Sequence, residues 1–397
     1  MITTPLSFAM LELNNPGGIQ RYFPEVPEKK LGRLLLVCTC ILAVQSTNLS
    51  LCAKRMGKVL GISIQYGTAY SRLVRFFQTG SPVPVLRGIC LLVINTLCTS
   101  TDCYLLLDRT NWEYGKRNIN LLVIGILYRD VFIPLAWTDL GRAGNSNCEQ
   151  RLELVDRLLG WWPYSDVALP QLHIAGDREF IGFAWFKGLE QRGINFVMRI
   201  PASFKIELWC NGGIKDRKLR LKVIRRYLSW TGLESVEAVL QSEYIVRLGV
   251  FDNDSARGKA DYIYLMTNMK DIKEASRFYR KRYKIEVCFK HLKSSGFNLE
   301  DLALQGEHKI DLMFGVLNVL YLMAIQKGIV AFGQEAQEMK VFYDPAPYIA
   351  PAKSVFMKGF EQVLAQIFSF VEFCEHLDGL SKWVAKTQHP LYQHHYT

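Results

Sequence analysis

An α/β fold, a mixed sheet flanked by helices, is what this sequence of 397 residues predicts. Three observations carry that expectation. Tyr104 to Leu107 is a short apolar run, and two longer runs follow it, Asn120 to Leu127 and Val131 to Trp137, parted only by Tyr128-Arg129-Asp130. A strand and then a hairpin follow from that pattern. Next, stretches with helical spacing, Cys148 to Leu159 and Glu179 to Arg192, alternate with the short apolar runs Leu172 to Ala175 and Asn195 to Ile200, which gives the order βββαβαβ. Finally, hydrophobic residues make up 49% of the chain, ample for buried sheets and helices.

The flanking regions differ in character. Leu34 to Gln78 alternates apolar and basic residues at helical spacing, and Gly57, Gly61 and Gly67 are expected to break it into short helices. Two readings fit region 1–81. One is a helix-turn-helix whose Tyr70 to Phe77 segment presents Arg72 and Arg75 to DNA, and the other is a basic helical bundle with a solvated face. Ser81, Pro82 and Pro84 mark a turn that bounds this region. After Pro201 the sheet-like core, begun near residue 100, gives way to an insertion expected to be β-rich over 201–270, in which Leu219 to Val223 and parts of Glu243 to Val250 alternate. Asn211-Gly212-Gly213 and Asp252-Asn253-Asp254 supply its turns. Eight basic residues between Lys205 and Arg226 face only Glu207 and Asp216, a density suited to tracking a phosphate backbone. A long helix is expected from Asp271 to Ser294, apolar helices to about residue 330, and amphipathic helical sequence over 331–397.

At this length two to four structural units are expected. The net charge of +11 makes nucleic acid the default partner, with an anionic membrane surface as the other option. Leu312 to Ile325 is the longest apolar stretch, is interrupted by Asn318, and falls short of the roughly 20 residues of a bilayer span. It reads as a buried helix, so no membrane is expected. Met1 to Lys30 is mixed and proline-containing, unlike an export signal, and a cytoplasmic setting follows. The ten cysteines stand mostly alone, which suits small hydrophobes in a reducing compartment better than zinc ligands.

One helix carries the functional argument. Tyr279, Arg282, Glu286 and Lys293 lie at offsets of 0, 3, 7 and 14, which at about 100° per residue places them within an arc of roughly 60°. Lys290 joins that stripe, while Phe278, Ile285, Phe289 and Leu292 form the adjacent apolar arc that would pack on the sheet. Basic groups and an aromatic around a single carboxylate suit phosphates lying over a metal ion. The periodicity equally fits a surface helix in which Glu286 pairs with Arg282 and Lys290.

Tyrosine, two residues, arginine, three residues, glutamate, six residues, lysine is a spacing that Tyr279, Arg282, Glu286 and Lys293 match throughout. In it the chain resembles the insertion-sequence-four family of bacterial DDE transposases. That family's catalytic fold is RNase H-like, similar to retroviral integrase, with one aspartate on the opening strand, a second after the fourth strand, and the glutamate on a later helix. Asp108, closing Tyr104-Leu105-Leu106-Leu107 and followed by Arg109-Thr110-Asn111-Trp112, resembles the first aspartate box. Asp177, after His173-Ile174-Ala175-Gly176 and before Arg178-Glu179-Phe180, resembles the second. Taken singly, Asp108 also fits a turn residue paired with Arg109, and Asp177 an N-cap for the helix beginning near Glu179.

The resemblance covers about residues 100 to 325. It divides the core into 100–200 and 271–330 around the basic insertion. It implies that Asp108, Asp177 and Glu286 ligate two Mg²⁺ or Mn²⁺ ions, with Asp108 bridging, in cleaving and rejoining phosphodiester bonds. It also implies that Tyr279, Arg282 and Lys293 contact DNA, that the partners are terminal inverted repeats and target DNA, and that a homodimer pairs the ends. An aromatic of the insertion, Trp209 or Trp230, is a candidate for stacking on a displaced base. The physical chemistry agrees with the ion assignment. A charged aspartate at a buried strand is costly unless paired, three carboxylates repel one another unless cations join them, and hard oxygen ligands favour Mg²⁺ or Mn²⁺ over zinc.

Overall fold

The computed structural model describes residues 18–78, 80–114, 117–128, 130–210, 213–214, 219–240, 244–252, 262–304, 306, 308–342 and 354–383. Arg129, Asn211, Gly212, Asn253, Asp254 and the histidines 394 and 395 lie outside the described residues, as does the side chain of Trp209.

Four helices come first, α1 (Glu28–Val44), α2 (Leu49–Leu60), α3 (Tyr66–Gln78) and α4 (Val83–Leu97). Asn48 starts α2 by accepting hydrogen bonds from the backbone N–H groups of Ser50 and Leu51, donors that a helix leaves open. Gly61 ends α2 at φ +65°, a left-handed position that glycine adopts at no steric cost. Gly57 and Gly67 break nothing, contrary to expectation, and lie within α2 and α3. Pro82 and Pro84 sit at the very start of α4, where a missing N–H breaks no helical bond. The helices share one continuous hydrophobic core with the sheet, from Leu31 and Leu35 to Ile89 and Leu320.

The next elements are β1 (Asp102–Tyr114), β2 (Arg117–Tyr128), β3 (Val131–Asp139), α5 (Cys148–Trp161), β4 (Gln171–Gly176), α6 (Phe183–Gln191) and β5 (Asn195–Ile200). The strands lie in the order β3-β2-β1-β4-β5. The β1–β4 and β4–β5 pairs are parallel, while β1–β2 and β2–β3 are antiparallel. This is the mixed sheet that the βββαβαβ order predicts, in the RNase H-like arrangement that the family resemblance implies. Asn147 and Gln150 form a reciprocal capping box at the start of α5. α6 begins at Phe183 rather than near Glu179, because its cap is Gly182. Asp177 is therefore no N-cap and opens a turn instead, in which the Phe180 N–H donates to its carbonyl at 2.9 Å.

The insertion comprises β6 (Lys205–Cys210), β7 (Gly213–Ile214), β8 (Leu219–Arg220), α7 (Leu221–Thr231), β9 (Ser235–Leu240), β10 (Tyr244–Asp252) and β11 (Tyr262–Thr267). Two expectations change here. Leu219 to Val223 is a two-residue strand running into a helix. Five alternating residues fit either period, and burial of Leu221, Ile224 and Leu228 selects the helical one. The insertion also continues the sheet rather than standing beside it, since β11 pairs antiparallel with β5 and leads on through β10 and β9 to β6.

The expected long helix over 271–294 is two helices, α8 (Ile272–Arg280) and α9 (Lys284–Lys293), joined by a 3₁₀ turn at Lys281–Tyr283. Asp271 caps α8 through the N–H groups of Lys273 and Glu274. The apolar arc is where expected, with Phe278, Ile285, Phe289 and Leu292 buried. α10 (Lys309–Phe342), α11 (Val355–Gln366) and α12 (Phe370–Trp383) follow. Lys309–Phe332 is longer than the apolar run suggested, and by length and composition it could cross a bilayer. Yet 89% of its most apolar window is buried inside the protein. Asn318 explains the polar interruption, since its amide donates to the Pro134 carbonyl at 2.9 Å and so satisfies one of its buried polar groups.

Candidate active site

Alternate side chains of β1 share one face of the sheet, and α8 and α9 run across it. The Tyr104 ring meets Phe278 at 4.9 Å between centroids and stacks on His173 at 4.7 Å. Its hydroxyl donates to Glu274 at 2.6 Å. Four residues on, Asp108 meets Arg282, and four further the Trp112 ring carries the Lys293 ammonium at 5.3 Å. Lys293 also donates to the Asn111 carbonyl at 2.6 Å. Asp108 therefore lies within β1, not at its end, on the face that receives α8 and α9.

Parallel pairing brings the second acid beside the first. Leu107 is opposite Gly176, the last residue of β4, in the β1–β4 register, so Asp108 on β1 and Asp177, the first residue past β4, emerge side by side. Gly176 has a packing reason to be glycine, because a Cβ there would stand 2.8 Å from the Met198 sulfur and 3.1 Å from Phe180. The Tyr279 hydroxyl donates to Asp177 at 3.4 Å. The third acid arrives through Arg282, whose Nη1 donates to Asp108 and whose Nη2 donates to Glu286, each at 2.7 Å. Glu286 has 58% of its side chain exposed, against 18% for Asp108 and 14% for Arg282, so the cluster opens outward at the glutamate.

Burial dominates the electrostatics. It pushes the Asp108 carboxyl up to about 6, against the opposing pull of Arg282 and of the Arg109 backbone N–H, with the charges of Glu179 and Asp177 adding to the rise. For Arg282 burial acts downward but is outweighed by Asp108, Asp177 and Tyr279, so the guanidinium is held firmly charged. Burial and the neighbouring Asp177 together raise the Tyr279 phenol.

A supporting layer escaped the sequence reading. The Arg109 side chain does not pair with Asp108. It grips both Glu179 oxygens at 2.6 Å and also reaches Asn120, Asn145 and the Gly144 carbonyl. It thereby ties β1, β2, the loop after β3 and the Asp177 turn into one unit. Adjacency to the two aspartates was the available signal, since Arg109 follows Asp108 and Glu179 lies two residues past Asp177.

Other predicted residues are placed differently. Lys290 is exposed on α9. Arg72 and Arg75 are exposed on α3, among the N-terminal helices rather than on the sheet. Trp230, near the end of α7, is 84% exposed and so is not a core residue.

Among the described residues, no three His, Cys, Asp or Glu side chains stand close enough, as they lie, to hold a metal ion, and Arg282 stands between Asp108 and Glu286. The donor set of carboxylates without histidine or cysteine nonetheless suits a hard divalent cation.

With this geometry in view, the comparison with protein families is decisive. Residues 100–323, more than half of the chain, match the model of the transposase DDE domain. The chain belongs to the DDE transposase family. The matched span runs from just before β1 into α10 and contains all three acids, and the transposase is thus an enzyme of the DNA nuclease and strand-transferase class, whose members typically use divalent metal ions. The chain is also similar to a solved structure, the cryo-EM structure of a piggyBac transposase synaptic complex with hairpin DNA, at 10% identity and a TM-score of 0.39, covering 92% of this chain and 74% of that one. No curated protein matches the sequence.

Proposed function

We propose that Asp108, Asp177 and Glu286 are the catalytic carboxylates of this transposase and that they hold two Mg²⁺ or Mn²⁺ ions. The observation that supports this best is the convergence of acids from β1, from the turn after β4 and from α9 around Arg282 and Tyr279. When bound, such ions would activate the attacking oxygen and stabilise the departing one. The chain's own residues do the rest. Asp108, beside Asp177 and joined to Glu286 through Arg282, would be a ligand shared by both ions. Arg282 exchanges its two carboxylates for a DNA phosphate, a fork geometry that fits either partner. Tyr279, Lys290 and Lys293 steady the strand end beside the cut.

The reaction is cut-and-paste transposition of an insertion sequence of the tyrosine-arginine-glutamate-lysine kind. At the terminal inverted repeat a water oxygen bonds to phosphorus, and the 3′ oxygen leaves and takes a proton. That 3′-hydroxyl then bonds to a phosphorus of target DNA as the target's own 3′ oxygen departs. Two subunits pair the element's ends, Arg72 and Arg75 add contacts to the bound DNA, and the setting is the bacterial cytoplasm and nucleoid.

The test uses the full chain with a duplex carrying the element's end. Mg²⁺-dependent nicking that leaves a 3′-hydroxyl, followed by joining to a second duplex, is the expected result. Asp177→Asn should bind the same duplex and cut nothing. A variant that still nicks at the wild-type rate would remove Asp177 from the site, and nicking without joining would make the chain a nuclease only.

A further inference from the structure

Where α8 gives way to α9 the chain carries four cations in five residues, Arg280-Lys281-Arg282-Tyr283-Lys284. Arg282 turns to the acids, donating to Asp108 and Glu286. Arg280 donates to the Asp252 carbonyl at 3.0 Å. Lys281 and Lys284 both reach Asp130, in the turn between β2 and β3, at 3.8 and 2.5 Å. We propose that Asp130 is a positioning residue of the transposase: by holding Lys281 and Lys284 it fixes the 3₁₀ turn, and with it the directions in which Arg282 and Glu286 approach Asp108. The inference rests on the proposed function and adds to it a residue, remote from the three acids along the chain, on which their geometry depends.

Geometry, charge and backbone argue for it separately. An α-helix advances about 100° per residue and a 3₁₀-helix about 120°, so the three residues Lys281–Tyr283 carry α9 about 60° further round than an unbroken helix would. α8 packs over β4 and β5, and α9 over β1 and β3. The rotation at the turn therefore decides which side chains of α9 face Asp108. A short 3₁₀ stretch inside a helical run is a frequent hinge, and Asp130 ties this one to the sheet. Charge gives the second argument, because cations so closely spaced repel one another and compete for the same carboxylates. Asp130 draws two of them away and leaves Arg282 to the acids. For Lys284 burial acts downward but is outweighed by Asp130 and Tyr283, so its ammonium stays charged in the pair. Third, Asp130 stands at φ +68°, a left-handed conformation that aspartate and asparagine adopt more readily than other residues with side chains. The carboxylate is thus presented from a tight hairpin corner. Ion pairs near the surface add little stability, so the effect of this one is on direction.

The experiment compares the full chain with Asp130→Asn, which keeps the left-handed backbone and the side-chain shape and removes the charge. Single-turnover nicking of a duplex carrying the element's end should slow about tenfold, and Mn²⁺ affinity, read by titration, should fall by a similar factor, the scale on which outer groups act through a ligand. Binding of the same duplex without divalent ions should be unchanged. Lys284→Met should show the same pattern, and the double variant should lose no more than Asp130→Asn alone. Lys273→Met, which removes the pair between α8 and Glu234, should alter none of these. Wild-type nicking and Mn²⁺ affinity in Asp130→Asn would overturn the proposal, as would an additive double variant or an equal effect of Lys273→Met. Loss of duplex binding along with nicking would make Asp130 a general structural residue and overturn it too. A wild-type chain that neither nicks nor binds Mn²⁺ overturns the proposed function instead.

Discussion

The two halves of the sheet solve opposite electrostatic problems. In the half formed by β1 to β5, acids are drawn into a largely buried setting and must be neutralised by neighbours, as Arg282 does for Asp108 and Arg109 does for Glu179. In the half formed by β6 to β11, Lys222, Arg225 and Arg226 of α7 line an open cavity together with Arg178 and Arg199 of the other half, and none of its described lining residues is acidic. Buried charge has to be paired by the fold itself, because its desolvation is otherwise too costly. Charge at the surface carries no such requirement. The acid half is consequently the one in which single side chains determine local structure, and the basic half is the one whose substitutions should be tolerated.

The sharpest way to break this contrast is Asp108→Asn. Nicking should fall by about 10⁴-fold, the scale on which losing a member of a catalytic set acts. DNA binding by the basic half should be little changed, and a parallel loss of binding would show the halves to be energetically inseparable. Arg109→Leu comes next. It strands Glu179 and undoes the tie between β1 and the Asp177 turn, so divalent-ion affinity, read by Mn²⁺ titration, should fall by about 10- to 100-fold. Thermal unfolding should show a loss of about 3 kcal/mol, whereas Arg109→Lys should recover part of the stability and little of the ion affinity.

A smaller effect separates buried carboxylates from catalytic ones. Asp311 is buried at the foot of α10, and burial pushes its carboxyl up to about 6, partly opposed by the Asp139 backbone N–H that donates to it. A folded value above the ordinary carboxylate value means that the native state holds the proton more tightly. Its contribution to stability is therefore fully present below about pH 4 and is lost as pH rises through about 6. Asp311→Asn keeps an acceptor for Asp139 and should remove this loss, unfolding about 2 kcal/mol later than wild type at pH 8 while showing little difference at pH 4. An unchanged pH profile would mean that Asp311 is not the residue responsible. The smallest expected effect is in the N-terminal helices. Arg72→Ala/Arg75→Ala should weaken DNA binding by a similar factor on every sequence and reduce its salt slope by about 2, and a sequence-selective loss would favour the helix-turn-helix reading over a basic bundle.

Much of the catalytic half was legible because its signals are local. Apolar runs of strand length, helical spacing in 148–159 and the polar stripe of Tyr279, Arg282 and Glu286 each follow from the periods of regular structure. Less legible were features where two local rules compete. Gly57 and Gly67 look like breaks but are tolerated inside amphipathic helices, and Leu219 to Val223 is too short for its alternation to exclude a helix. The 3₁₀ turn at Lys281–Tyr283 carries no residue that announces it.

By itself, then, the sequence determined the order of elements in the core, the family, and the identity of the three acids as the groups worth watching, because residue type and spacing along one chain suffice for those. The tertiary structure alone decided that Leu107 pairs with Gly176 and so sets Asp108 beside Asp177, that Arg109 turns to Glu179 rather than to its neighbour, and that β11 adds to β5 and closes a basic cavity beside the acids. Strand register and strand neighbours depend on which distant surfaces bury one another. That is a property of the assembled core, which no local period encodes.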